Sequence, residues 1–462
     1  MHDLETLRGG GYKGAGLSKL KLACPLDTFP TEILDLGETL EQLDLSGTGL
    51  SSLPQDFGPR LPNLKVAFFS QCNFITFPKE LAACPQLEMV AFRGNGMKTV
   101  PEDALPPRLR WLILTDNRLS SLPDSIGRCE RLQKCMLAGN RLKTLPDHMS
   151  ACKKLGLLRL SSNDIDALPD WLFEMPELSF LSFAGNPCST PSTPAIVHGN
   201  GHANGSVQSQ LDHVKWTDLE VHHTLGEGAS GVISKGLWQS EDSSAEEVAI
   251  KLFKGALTSD GAPEDEMAAV IAAGQHDNII DVLGRIKDHP EEITGKFKGG
   301  LVMQLIPPHY QTLGQPPSLQ SCTRDQYHPD VSLSADNAMS ILEGIAAAAE
   351  HLHGQGIIHG DLYAHNILTN EDGHALLGDF GAATVHGHTV SPLLEKLEVL
   401  AFAHLVEDIT GLVQPTAESD KRLMEQLLVL RQRCAVSTVS ERPTFEEILS
   451  ELIKMKGGSA FT

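Results

Sequence analysis

Gly226-Glu227-Gly228-Ala229-Ser230-Gly231-Val232, Val248-Ala249-Ile250-Lys251, Glu266, Asp361 with Asn366, and Asp379-Phe380-Gly381 follow one another along this chain. Their order and spacing, more than any one of them, decide the reading. A Gly-rich turn can lie over a triphosphate and a lysine can hold its phosphates. An asparagine and an aspartate can grip Mg²⁺ beside a second aspartate facing an acceptor hydroxyl. A lone Gly-x-Gly-x-x-Gly also opens dinucleotide sites, where it leads into a helix. Here Val232–Gly236 (VISKG) continues as a strand, which favours a hairpin over phosphates. Lys251 comes twenty residues after Gly231 and closes the Val-Ala-Ile run typical of a buried strand. A buried lysine needs a carboxylate partner. Glu266, which opens the helical stretch Glu266–Ile271, can supply it, with Glu264 and Asp265 as nearby alternatives.

Upstream of this set the chain is periodic. The pattern LxxLxLxxNxL begins at Leu40, Leu64, Leu87, Leu109, Leu132, Leu155 and Leu178, at intervals of 24, 23, 22, 23, 23 and 23 residues. That is the leucine-rich repeat period, in which each unit gives one short strand to a curved parallel sheet and stacks its leucines on its neighbours. Asn95, Asn117, Asn140, Asn163 and Asn186 fill the asparagine slot, with Thr48 and Cys72 in the two earlier units. Side chains there are expected to bond the backbone at the turn out of each strand. A second fixed dipeptide, from Leu53-Pro54 to Leu168-Pro169, starts each return segment, where the missing donor of proline costs nothing. Leu17–Pro30 reads as a degenerate first unit that caps the stack. The strand positions facing away from the leucines carry Val66, Phe68, Met89, Trp111, Ile113, Met136, Leu157 and Phe180. They are expected to form a nearly continuous apolar strip, larger than a monomer usually exposes, and hence an interface for a protein partner or substrate.

Length and composition bound the rest. At 462 residues the chain is too long for one ordinary core, and two domains are the natural reading. The polar, Gly-rich run CSTPSTPAIVHGNGHANGSVQSQ divides them. The expected organisation is a repeat domain over 1–190 with its degenerate N-terminal cap, a flexible linker over 191–214 and a second domain over 215–457. His198 and His202 in the linker are too few to argue a metal. A net charge of −22 would repel a phosphate backbone, which excludes nucleic acid as a partner. Neither a signal-peptide core nor an apolar run long enough to span a membrane occurs, so a cytoplasmic protein is expected. The nine cysteines form no CxxC pair and read as reduced structural thiols.

His359-Gly360-Asp361-Leu362-Tyr363-Ala364-His365-Asn366-Ile367-Leu368 follows a helical stretch over Ala338–His353, and Gly378-Asp379-Phe380-Gly381 follows a short hairpin through Glu371-Asp372-Gly373. From Leu225 to about Ile453 these motifs resemble a eukaryotic-type protein kinase domain, and the whole chain resembles cytoplasmic leucine-rich repeat protein kinases. The resemblance implies an α/β leucine-rich repeat solenoid followed by an α+β bilobal protein kinase fold, with ATP and Mg²⁺ as cofactors. It implies that Leu225, Gly226, Gly228, Gly231, Val232 and Ala249 line the nucleotide site and that Lys251, paired to Glu266, contacts its α and β phosphates. Met303 is expected behind the adenine, with the backbone of Gln304 to Ile306 bonding it. Asp361 would accept or orient the acceptor hydroxyl proton, and Asn366 with Asp379 would hold Mg²⁺. Glu441-Arg442-Pro443 is similar to the late Arg-Pro motif that braces the C-lobe.

The pattern also departs from the family. Gly360 stands in place of an arginine that would answer an activation-segment phosphate. Tyr363 occupies the position of the serine/threonine-kinase lysine, and Ala364-His365 matches neither the serine/threonine nor the tyrosine form. Only sixteen residues separate Gly381 from Glu398, which sits where the F-helix aspartate is expected, and no Ala-Pro-Glu intervenes. Arg442 lacks its usual glutamate, for which Glu395 could substitute. An ATP-dependent protein kinase, serine/threonine by default, is the first expectation. A nucleotide-binding pseudokinase scaffold and a kinase for a small molecule are the alternatives.

Overall fold

The computed structural model describes residues 1–189, 211, 213–228, 230–239, 244–254, 257–291, 297–388 and 390–459. Most of the expected linker, with His198 and His202, lies outside the described residues, as does Ala229. The chain divides into two compact units, Met1–Cys188 and Ser189–Thr462.

The first unit opens with α1 (Leu4–Arg8), capped by the Asp3 carboxylate, which accepts from the Thr6 N–H. Eight three-residue strands follow among the described residues: β1 (Lys19–Lys21), β2 (Gln42–Asp44), β3 (Val66–Phe68), β4 (Met89–Ala91), β5 (Trp111–Ile113), β6 (Lys134–Met136), β7 (Leu157–Arg159) and β8 (Phe180–Ser182). They form one parallel sheet in chain order. From β2 on, each starts two residues after its opening leucine, and Gln42, Val66, Met89, Trp111, Lys134, Leu157 and Phe180 stand side by side. The seven opening leucines are fully buried, so one leucine ladder fixes the register of every strand. β1 pairs with β2 and ends the sheet, as the degenerate first unit predicts.

The buried asparagines satisfy the turns. Asn117 Oδ1 accepts from the N–H groups of Asn95 (3.1 Å) and Met97 (2.9 Å), while its Nδ2 donates to Phe92 O and Leu114 O, both 2.9 Å. Each such residue therefore joins adjacent repeats. Thr48 and Cys72 take the slot more weakly, both donating to Leu45 O. In the return segments, α2 (Phe57–Arg60) or a 3₁₀ turn appears, and Pro78, Pro123, Pro146 and Pro169 start four of those turns. Cys84, Cys129 and Cys152 end three of them, and burial pushes their thiols up to about 12, 11 and 12. All nine cysteines are free.

The apolar strip differs from the sequence expectation. Val66, Met89, Leu157 and Phe180 are buried, and only Phe68, Trp111, Ile113 and Met136 are half-buried. Parallel strands lie about 4.8 Å apart, so every side chain on this face is partly covered by its register partners, and those of Val66, Met89 and Leu157 are covered most. Phe180 lies in the final strand, whose Ser182 is buried as well, as is Ala184 just after it. Trp111 carries the Lys134 ammonium over its ring, 4.6 Å from the centroid. The accessible apolar surface is a patch around four side chains, not a continuous strip.

The second unit starts with a sheet of order β10-β11-β12-β14-β13-β9, made of β9 (His213–Lys215), β10 (Leu219–Glu227), β11 (Gly231–Trp238), β12 (Glu246–Lys254), β13 (Val282–Lys287) and β14 (Phe297–Gln304). Val214, Val248, Ile250, Ile286 and Val302 form its core, and α3 (Pro263–Ala273) interrupts it between β12 and β13. The rest is mainly helical: α4 (Ala335–Gly354), α5 (Leu394–Leu412), α6 (Glu418–Cys434) and α7 (Phe445–Ser459). Small hairpins join them: β15 (Gln311–Thr312) pairs with β17 (Ile367–Thr369), which pairs with β18 (Ala375–Leu377), while β16 (Ile357–Ile358) pairs with β19 (Thr384–Val385). This is the α+β, two-lobed arrangement that the motifs predict.

Candidate phosphoryl-transfer site

The Gly-rich segment is the β10–β11 hairpin, with Gly226 opposite Ile233 and Glu227 opposite Val232. A Cβ on Gly231 would stand 2.4 Å from Leu252 O, so this glycine is needed for close packing on β12. A Cβ on Gly226 or Gly228 would meet nothing within 4 Å. Those two backbones are therefore open to a ligand. Lys254 ties the turn down, with Nζ 2.6 Å from Glu227 Oε1 and donating to Gly228 O at 3.2 Å. Leu225 is exposed and Val232 half-buried, while Ala249 lies buried on β12 opposite Met303.

Lys251 ends the buried Val-Ala-Ile run and forms an ion pair with Glu266 on α3. Glu264 and Asp265 share the same first turn, but it is Glu266, 2% exposed, that faces inward. Burial raises the pKa of Glu266, and Lys251 opposes that shift. A pair this dry gains only if each charge keeps its partner. Lys251 and Glu266 line a small cavity with Met303, Val270, Leu301, Gly378, Asp379 and Phe380. The chain then leaves β14 at Gln304, whose N–H is already taken by Asp281 O at 2.9 Å. That bond uses the Gln304 N–H and not its carbonyl. Among the described residues the N–H groups of Leu305 and Ile306 make no backbone bond, because the strand pairing ends before them.

Asp361 and Asn366 meet across one turn of the loop between β16 and β17. Asn366 Nδ2 donates to both Asp361 O and Asp361 Oδ2 at 2.9 Å. Asp379 is exposed and left-handed, φ 51°, and its Oδ1 accepts from the Gly381 N–H at 3.2 Å. A non-glycine residue in that region stores strain of the kind found at ligand-gripping turns. Phe380 is buried beside the His359 ring, whose Nε2 donates to Gly378 O at 2.9 Å. With the Asn366 amide nitrogen turned to Asp361, its oxygen and the Asp379 carboxylate are two hard ligands, few enough for Mg²⁺, which takes its remaining ligands from water and phosphate. Both donors are oxygens, the ligand type that Mg²⁺ takes.

Glu398 holds the other end of the loop. It lies on α5, 3% exposed, and accepts from Gly360 N at 2.6 Å, His359 N at 3.3 Å and His353 Nε2 at 2.8 Å. Burial opposes its charge, but these bonds outweigh burial and leave its pKa below the ordinary glutamate value. Gly360 has φ +72°, a conformation that any side chain resists. The arginine missing here would have been strained in this backbone.

The segment after Asp379 is short. It pairs with β16 through β19, and His386 N and Gly387 N both donate to Gly356 O before α5 begins at Leu394. Tyr363 is buried and packs against the His365 ring, with centroids 4.9 Å apart, so it does not reach out as the lysine of the family pattern would. Arg442, 1% exposed, donates to Val436 O and Lys396 O. Glu395, suggested as its partner, has a carboxylate oxygen 3.7 Å from His353 Nδ1.

One contact has no counterpart in the sequence motifs. His365 Nδ1 lies 2.7 Å from Asp325 Oδ1, and its backbone N–H donates to Asp325 Oδ2 at 3.2 Å. Burial works against charge on His365. The bond to Asp325 and the nearby carboxylates of Asp361 and Asp379 nevertheless leave its pKa above the ordinary histidine value. Asp325 carries no sequence signal, since it lies in an aperiodic stretch between β15 and α4.

Residues 219–395 match the family model described as protein tyrosine and serine/threonine kinase, and residues 107–165 match that of the leucine rich repeat. Among curated proteins, dual specificity protein kinase pyk3 of Dictyostelium discoideum is 24% identical over 279 residues, 53% of this chain and 19% of that protein. Fibroblast growth factor receptor 1 of Xenopus laevis is 31% identical over 170 residues, 34% of this chain and 20% of that protein. Serine/threonine-protein kinase TNNI3K of Mus musculus is 27% identical over 177 residues, 37% of this chain and 18% of that protein. The chain thus matches about a fifth of the length of each of these relatives.

Proposed function

From a chain that carries leucine-rich repeats and a protein kinase domain, we propose an ATP-dependent protein kinase, acting on serine or threonine, with residues 1–190 engaging a protein partner or substrate and 215–457 transferring the phosphoryl group. The observation that carries this reading is the buried Lys251–Glu266 ion pair beside Asp379, set in the same unit as the bonded Asp361 and Asn366. A scaffold that only binds partners has no need of a charged set this costly to bury.

The chemistry follows from the residues. The Gly226 and Gly228 backbones can approach phosphates, and Lys251 neutralises the oxygens of the two that stay with the nucleotide. Mg²⁺ held by Asn366 and Asp379 would offset charge on the transferring group and its leaving oxygen. Asp361, steadied by the Asn366 amide, takes the acceptor hydroxyl proton as the oxygen attacks the γ-phosphorus. The bond from that phosphorus to the β-γ bridging oxygen breaks, and the nucleoside diphosphate leaves. The described residues give Gly360 and the short run after Asp379 no activation-segment arginine to satisfy. Glu398 anchors the loop, so the proposed enzyme needs no phosphate on that segment.

Radiolabelled ATP, Mg²⁺ and the purified chain, offered a mixture of serine-, threonine- and tyrosine-containing peptides and its own sequence, tests the acceptor. Label is expected on serine or threonine. Label confined to tyrosine, or to a small-molecule acceptor, refutes that assignment.

The remaining apolar patch of the first unit supports a protein partner for the repeats. Phe68→Asp, Ile113→Asp and Met136→Asp in the full chain change half-buried positions of the sheet face. They are expected to abolish partner binding and to raise KM for the physiological substrate while leaving autophosphorylation intact. Unchanged partner binding and KM would mean that recognition lies elsewhere.

A further inference from the structure

A carboxylate as dry as that of Asp325, 3% exposed, costs several kcal/mol to bury unless its oxygens are satisfied. Among the described residues both hydrogen bonds of the Asp325 carboxylate go to one residue, His365: one oxygen to the ring and the other to the backbone N–H. His365 immediately precedes Asn366, and Asn366 holds Asp361. Two hydrogen bonds to a single residue fix both its position and its orientation.

The segment bearing Asp325 is itself anchored. Arg324 donates to Glu407 Oε2 at 2.9 Å and forms an ion pair with Asp408, and Tyr327 OH donates to Asp408 Oδ2 at 3.3 Å. Glu407 and Asp408 lie on α5, the helix that also supplies Glu398. Nearby, Leu313 N donates to Ile367 O at 2.9 Å and Gly314 N to Ala364 O at 3.3 Å. Asp361 and Asn366 therefore lie between two anchors on one helix. Glu398 grips the loop at His359 and Gly360, and the 313–327 segment grips it from Ala364 to Ile367.

We propose that Asp325 is a positioning residue for phosphoryl transfer, holding His365 so that Asn366 and Asp361 keep their reacting geometry from a segment outside the kinase motifs. This rests on the kinase reading above. Asp325 touches no reacting atom, and no bond is made or broken at it.

Four full-length variants test it: Asp325→Ala, Asp325→Asn, His365→Ala and the double Asp325→Ala/His365→Ala. Displacing a reacting group by about 1 Å costs on the order of 10²-fold in rate. Asp325→Ala is therefore expected to lower kcat by about that factor with KM for ATP unchanged. Asp325→Asn keeps one acceptor oxygen and should recover much of the loss. The double variant should be no slower than the worse single one, because both act through one contact. Amide hydrogen exchange, which needs no turnover, should rise at His359–Leu368 in Asp325→Ala while β12 stays protected. Unchanged exchange there, or losses that add in the double variant, overturns the proposal. Absence of transfer by the wild type overturns the kinase reading instead, and the exchange comparison still decides whether Asp325 holds the loop.

Discussion

Asp361→Ala is expected to lower phosphoryl transfer by about 10²–10⁴-fold, the usual contribution of a positioned general base, while ATP binding persists. The expectation follows from where the carboxylate is held. One oxygen accepts from Asn366 Nδ2 at 2.9 Å, and that same amide fixes the Asp361 carbonyl. Asp361→Asn separates the two roles of the side chain. Its amide oxygen can still accept from Asn366, so the loop keeps its shape, yet it cannot take a proton. A rate loss as large as that of alanine assigns the effect to proton acceptance. A rate near that of the wild type in Asp361→Asn would make the residue a loop brace.

Glu398→Ala should lower stability by about 3–5 kcal/mol, the range for breaking a buried ionic contact from one side. It strands three donors at once: His353 Nε2, His359 N and Gly360 N. Chemical denaturation monitored at two wavelengths measures it, and a loss below about 1 kcal/mol, the net worth of one ordinary hydrogen bond, would contradict the anchoring role. The carboxylate also makes stability depend on acid. Its folded pKa lies below the ordinary 4.5, so its contribution is complete above about that value and is lost as pH falls through the folded value. Glu398→Gln cannot ionise and should flatten the acid side of the stability curve. An unaltered acid slope would place the titrating group elsewhere.

Much of the fold was legible because it repeats. Seven leucines at 22 to 24 residue intervals fix a strand register that no single repeat could specify, and the strands begin two residues after each leucine. Burial along the outward-facing side was not legible, since it depends on flanking register partners. That is why Val66, Met89 and Leu157 are buried where the alternation alone suggested exposure. In the second unit, the hairpin and the Lys251–Glu266 pair could be read because each spans a short gap or a recognisable pattern, whereas the bonds from the Asn366 amide to Asp361 were not part of that reading. Glu398 could be placed only by analogy, as a carboxylate where an aspartate was expected. Asp325 could not be read at all, because it meets His365 across 40 residues and lies in a stretch with neither period nor motif. The bonding of Gln304 was hidden for a related reason: whether its N–H is free depends on Asp281 O, which lies just before β13 and 23 residues away in sequence.

The most direct test of phosphoryl transfer is the incorporation of radiolabelled γ-phosphate by the purified full chain with Mg²⁺, set beside Asp361→Ala and paired with a measurement of ATP binding. The arrangement of Lys251, Glu266, Asp361, Asn366 and Asp379 predicts transfer by the wild type, loss of transfer in Asp361→Ala and nucleotide binding by both. Bound ATP with no transfer by the wild type, to itself or to any offered acceptor, would contradict it and leave a nucleotide-binding scaffold.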